Sequence, residues 1–112
     1  MKTAVVTGAT GFIGKYLTQK LIEKGVKVYG IGTDVRRLNV EEFGENFVPL
    51  VADFRVYDNL EKYIDEDIDV FYHMAWQGGF TTALKDYALQ LGNAKAACDA
   101  LTSASNMKCK KF

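Results

Sequence analysis

Tyr16 and Lys20 stand four residues apart in the stretch YLTQK. On a helix that spacing brings both side chains to one face. The lysine charge lowers the phenol pKa, and the tyrosine can then move a proton to or from a substrate hydroxyl. Just upstream, VVTGATGFIG sets Gly8, Gly11 and Gly14 in the spacing G-x-x-G-x-x-G. Glycines so placed let the chain turn sharply out of a sheet and let backbone come close to a pyrophosphate. A helix starting there offers free N–H groups and a partial positive charge to the anion. An ATP-type P-loop is a different arrangement, with glycine-lysine followed by Ser or Thr and four residues after the first glycine. Here Lys15 follows Gly14, the interval from Gly8 is too long, and Tyr16 holds the hydroxyl position.

Both patterns depend on the elements that carry them. Short β-branched runs at 2–7, 26–31, 46–52 and 69–75 predict four strands. Helical periodicity predicts helices over 12–24, 57–64 and 84–107, with a weak helix or irregular segment over 34–43. Ile13, Leu17 and Leu21 recur at i, i+4, i+8 as the apolar stripe of the first helix, and Gly25 stops it. Pro49 suits an edge strand, and Gly92 is costly inside the last helix. Residues 109–112 read as the beginning of a fifth strand. Strand and helix in alternation imply parallel strands joined by right-handed crossovers. The strands lack polar alternation, as expected of a parallel sheet buried on both faces. The predicted fold class is α/β, a doubly wound parallel sheet in the order 3-2-1-4, with the fifth strand following the fourth.

In that frame the Tyr16–Lys20 pair has the wrong address. The first helix begins at the glycine loop and runs away from the ligand edge, so Lys20 lies about 9 Å along the axis from Gly14. The pair is expected to make a contact on the helix side and no chemistry.

Composition narrows the function classes. The 112 residues fit one small domain, and 48% hydrophobic with 25% charged residues is ordinary for a soluble globular chain. Fourteen basic residues balance fourteen acidic ones, with no basic block. That leaves no electrostatic footprint for nucleic acid or an anionic membrane. The apolar runs are too short to span a bilayer, and MKTAVVTG reaches a glycine before a signal-peptide core can form. A cytoplasmic location is expected. Cys98 and Cys109 match no metal or redox spacing, and no metal site is predicted.

The sequence resembles the extended short-chain dehydrogenase/reductase family, and within it the nucleotide-sugar epimerase/dehydratase branch. TGATGFIG is similar to that family's T-G-x-x-G-[FY]-I-G, which assigns Gly8, Thr10, Gly11, Phe12, Ile13 and Gly14 to the cofactor. VADFRVYDNL resembles the segment whose Asp contacts the adenine, which carries over to Asp53, with Phe54 beside it. VFYHMAW resembles the H-x-A-[AW] segment that lines the cofactor ribose and pyrophosphate, which carries over to Met74, Ala75 and Trp76. DYALQLGNAKAACDAL resembles the fourth helix, whose asparagine comes near the active site, and the candidate is Asn93. The resemblance implies a Rossmann-type domain, NAD or NADP as cofactor, and a nucleotide sugar as substrate of the full-length parent.

One position departs from the family's pattern. NAD-preferring members carry an Asp at the end of the second strand, and that place here is Gly32. Asp34 follows two residues later, then Arg36 and Arg37. A carboxylate accepts hydrogen bonds from a ribose diol, whereas arginine favours a 2′-phosphate. Asp34 on the ribose, Arg36 or Arg37 on a phosphate, and two solvated arginines are all open at this point.

The remaining candidates are weaker. His73, the chain's one histidine, sits at the ligand edge of the fourth strand, and a structural or cofactor-shell role is expected. Trp76 and Phe80 flank a QGG loop on the same edge and are candidates to cover the nicotinamide or the substrate. The acidic residues Asp65, Glu66, Asp67 and Asp69 read as a solvated turn at the opposite end of the sheet. The catalytic Ser or Thr and Tyr-x-x-x-Lys of the resembled family fall beyond the regions matched here. The chain therefore reads as the N-terminal, cofactor-binding part of a longer enzyme, without turnover of its own. The alternative is a non-catalytic dinucleotide-sensing module. An unpaired sheet edge is expected to favour self-association.

Overall fold

The computed structural model describes residues 1–78 and 85–112. Among these, β1 (Thr3–Thr7), β2 (Lys27–Gly32), β3 (Phe47–Val51) and β4 (Val70–His73) form one parallel sheet in the order β3-β2-β1-β4. This is the predicted doubly wound order. Residues 109–112 start a further pairing on the predicted side, where Lys111 bridges Val70 in parallel and its carbonyl accepts from Phe71 N at 2.9 Å.

A parallel sheet needs a core on each face, and β1 supplies both. Val5 points to one side with Ile31, Phe71 and Leu60, under the alanines Ala96, Ala100 and Ala104 of α3 (Tyr87–Asn106). Ala4 and Val6 point to the other side with Val28, Phe47 and Leu21 of α1 (Phe12–Glu23). The edge strand β3 departs from the expected continuous burial. Only Phe47 is fully buried; Val48 and Leu50 are partly buried against the core, and Pro49 and Val51 are exposed, since among the described residues no strand flanks β3 on its outer side. Pro49 lies there as expected of an edge residue, opposite Gly30.

The predicted apolar stripe of the first helix is met in part: Leu21 is buried and Leu17 packs on the core, but Ile13 turns outward. Gly14, Thr18 and Leu21 are buried, whereas Ile13 is 59% exposed. The helix must bring Gly14 against the turn that precedes it, and that contact sets its rotation ahead of the Ile13–Leu17 spacing.

The connection predicted as a short helix over 57–64 is a 3-10 segment, Phe54–Lys62, interrupted at Asn59. It packs on α3, where buried Ser103 accepts from Leu60 N and donates to the carbonyl of Tyr57. The region 34–43 resolves into a 3-10 turn, Val35–Arg37, and a short α2, Val40–Phe43. Helix α3 starts at Tyr87, later than the predicted 84, because the Asp86 carboxylate caps it by accepting from Leu89 N at 3.1 Å. Leu84 and Phe80 lie outside the described residues.

The acidic run before β4 is more than a solvated turn. Asp69 accepts from Lys2 N at 2.6 Å and Thr3 N at 3.2 Å, and pairs with Lys110 at 3.3 Å. These hydrogen bonds hold its pKa down at about 2. Asp69 thus pins the start of β1 to the start of β4. No helix among the described residues is long and apolar enough to cross a membrane.

Candidate functional site

The glycine loop leaves β1 at Gly8, whose φ of +67° falls in the left-handed region. Glycine is required there for a second reason. A side chain at Gly8 would meet the Ala75 backbone at 2.9 Å, so the loop lies directly against the exit of β4. Gly11 N donates to the Gly8 carbonyl at 3.0 Å and closes the turn. A Cβ on Gly14 would sit 1.9 Å from that same carbonyl oxygen. The loop is therefore folded against the first turn of α1. That helix starts at Gly11 with no side-chain cap and no acidic residue in its first turn. Its first N–H groups are left for solvent or an anion.

A cleft of about 220 Å³ opens beside this loop at the C-terminal edge of the sheet. Gly8, Thr10 and Gly11 form one wall, Ile31, Gly32 and Thr33 the floor at the end of β2, and Phe54 and Tyr57 a third side. Met74, Ala75, Trp76 and Gln77 close it at the end of β4. Complete small-molecule pockets run to about 300–1,000 Å³, so this cleft is shallow for a whole ligand.

Eight of the residues predicted from sequence meet here: Gly8, Thr10, Gly11, Gly32, Phe54, Met74, Ala75 and Trp76. The others do not line the cleft. Gly14 acts behind the loop. Phe12 is 96% exposed and lies with Ile13 along the outer side of α1. Asp53 caps the 3-10 segment by accepting from Arg55 N at 2.9 Å and is held by the Arg55 guanidinium at 2.7 Å. That pairing holds its pKa down at about 2, and the carboxylate borders a separate depression with Tyr63.

The end of β2 repeats this arrangement. Asp34 accepts from Arg36 N at 3.0 Å, Nε at 3.1 Å and a terminal guanidinium nitrogen at 3.1 Å. These bonds lower its pKa. Arg37 reaches back to the carbonyl of Thr10 at 3.2 Å. The two arginines are thus engaged differently, one on its own carboxylate and one across the mouth of the glycine loop.

His73, expected in a structural or cofactor-shell role, is organised by Thr7 and Tyr57, which the sequence did not single out. Thr7 Oγ1 accepts from Met74 N at 3.0 Å and Ala75 N at 3.3 Å and shares a hydrogen bond with His73 Nδ1 at 2.8 Å. Burial lowers the pKa of this histidine and favours its neutral form. Nε2 is buried without a hydrogen-bond partner among the described residues. Tyr57 packs edge-on to the His73 ring at 6.0 Å, and burial pushes its phenol up to about 12. The signal in the sequence was slight: a hydroxyl closing a fully apolar strand must find a partner.

Asn93, which the resemblance placed near the active site, is 1% exposed. It accepts from Gln77 N at 2.9 Å and donates to the Gln77 carbonyl at 2.8 Å. The Tyr16–Lys20 pair is far simpler. Lys20 Nζ lies 5.5 Å from the Tyr16 ring centre and pairs with Glu23, and Tyr16 is 64% exposed. It is the contact on the helix side that the sequence predicted.

The comparisons with known proteins agree with this geometry. A probable NADP-dependent dehydrogenase of Haemophilus influenzae is 47% identical over 55 residues, covering 47% of this chain and 22% of that protein. A 2-alkyl-3-oxoalkanoate reductase of Shewanella oneidensis is 32% identical over 109 residues, covering 97% of this chain and 27% of that protein. Among solved structures, a UDP-glucose 4-epimerase of Thermotoga maritima superposes with a TM-score of 0.77 at 22% identity. That match covers 98% of this chain and 36% of the epimerase. The chain spans about a quarter of the length of the curated relatives named here. A family model described as the NAD dependent epimerase/dehydratase family matches residues 4–112, and the chain belongs to that family.

Proposed function

We propose that the cleft between the glycine loop and the end of β4 binds a dinucleotide, NAD or NADP. The observation that carries this reading is the uncapped start of α1, folded so tightly that Gly14 touches Gly8. The pyrophosphate would lie against the loop and the first N–H groups of α1. Gly32 and Thr33 would receive the adenosine ribose, Phe54 would flank the adenine, and Met74 to Trp76 would run along the rest of the cofactor. Asp53, Asp34 and Arg36 contribute from outside the cleft, once a ligand competes for their internal partners. The cofactor, when bound, supplies hydride transfer. This chain's residues bind and orient it.

We further propose that residues 1–112 are the cofactor-binding part of an enzyme acting on a nucleotide sugar, and that the isolated chain has no turnover. The support for the sugar is the resemblance to the epimerase branch. A second reading, reduction of a ketone on a non-sugar substrate, is favoured by the match to the oxoalkanoate reductase over 97% of this chain.

Calorimetric titration of the chain with NAD, NADP and AMP tests the cofactor reading. A dinucleotide affinity well above that of AMP is expected. Equal affinity for all three, or binding of none, overturns it. Turnover of any sugar nucleotide by the isolated chain would sink the non-catalytic assignment.

A further inference from the structure

Trp76 is an unusual wall residue. It lines the cleft, yet it is 53% exposed. An exposed indole would ordinarily be free to rotate. Here its Nε1 donates to Gln90 Oε1 at 3.0 Å. The same oxygen accepts from Asn93 Nδ2 at 3.1 Å. Asn93 is buried and grips both backbone groups of Gln77, the next residue along. The indole is thereby tied to α3 through its edge, while about half of the residue stays exposed beside the cleft. The backbone offers no slack, because Ala75 already abuts the glycine loop.

We propose that Gln90 is a positioning residue. It fixes the Trp76 indole as a flat wall on which a ring of the bound dinucleotide packs, and it links occupancy of the cleft to α3. A fixed aromatic face is the chemistry that recognises a planar ring, and holding the indole in place before binding lowers the entropy lost on binding. This inference rests on the cleft being a dinucleotide site.

The chain has one tryptophan, so its emission reports on this residue alone. Gln90→Met removes the acceptor at similar length. Gln90→Glu keeps an oxygen able to accept both bonds. In the ligand-free chain, Gln90→Met is expected to lower the anisotropy of Trp76 and shift its emission to the red. Its Kd for the better-binding cofactor should rise roughly fivefold, the worth of one hydrogen bond. Gln90→Glu should recover most of both effects. Trp76→Phe should weaken binding similarly, and adding Gln90→Met to it should cost nothing more. Circular dichroism checks that each variant is folded.

Unchanged emission, anisotropy and Kd in Gln90→Met overturn the proposal, as do additive effects of Gln90→Met and Trp76→Phe. A wild-type chain that binds neither cofactor defeats the cleft reading instead. Emission and anisotropy of the variants then still decide whether Gln90 fixes the indole.

Discussion

Gly14 and Gly8 touch across the first turn of the chain, so closely that a single added carbon on Gly14 would fall 1.9 Å from the Gly8 carbonyl oxygen. Gly92 is the opposite case, a helical glycine where, among the described residues, nothing beyond its own turn of helix lies within 4 Å of an added Cβ. The two positions make a matched pair of tests.

Gly14→Ala should destabilise the fold by about 1–3 kcal/mol, the usual cost of forcing a group into filled space. Gly92→Ala should stabilise it by about 1 kcal/mol, through helix propensity alone. Thermal melts should move in opposite directions, by roughly 4–8 °C per kcal/mol for a domain of this size. A neutral Gly14→Ala would mean that the loop relaxes away from α1.

Alongside Asp53, Asp69 should contribute to acid unfolding. Its native pKa of about 2 lies below the ordinary carboxylate value. A depressed carboxylate stabilises the fold above its unfolded pKa near 3.9, and that contribution is lost as pH falls toward the native value. Denaturant midpoints should therefore fall between about pH 4 and pH 2, and Asp69→Asn should flatten that slope.

His73 should act in a higher window. Burial lowers its native pKa, so the unfolded chain binds the proton more readily. Stability should decline as pH drops through about 6.5 toward the native value, and His73→Gln should remove the decline. An NMR titration should place the ring below the free-histidine value.

Thr7→Val keeps the shape of the side chain and deletes the hydroxyl. His73 Nδ1 and the amide of Ala75 lose the partner that joins them. A loss of about 1–3 kcal/mol is expected, with weaker dinucleotide binding, because Met74 and Ala75 form one wall of the cleft. Equilibrium unfolding and calorimetry on the same sample separate the two effects.

Asp34→Asn should shift cofactor preference. It removes a carboxylate at the end of β2 and releases the Arg36 guanidinium bound to it. The ratio of NADP to NAD affinity should rise, by about tenfold for one freed charge-assisted contact. An unchanged ratio would place Asp34 and Arg36 outside the discrimination.

What could be seen in the sequence depended on how far apart the partners are. The glycine loop was legible because its spacing acts locally, and the strand order followed from alternation. Leu17 and Leu21 face the core as their spacing implies, but Ile13 does not, because hydrophobic spacing says nothing about a backbone contact between Gly8 and Gly14. Thr7 and His73 are 66 residues apart, and Asp69 and Lys2 are 67 apart. Neither pair leaves a local trace. Gln90 was invisible for another reason. A glutamine on a helix surface looks like any solvated residue until the indole 14 positions earlier is seen to point at it.

The placement of β1 between β2 and β4 also has a consequence for synthesis. Of the four strands described, interior strand β1 leaves the ribosome first. Its β4 partner begins with Val70 opposite Ala4, so one of its edges stays open until Val70–His73 has been made. At about 5–20 residues per second that is a wait of several seconds. Throughout it, an apolar strand with Val5 and Val6 is available to chaperones and to neighbouring nascent chains.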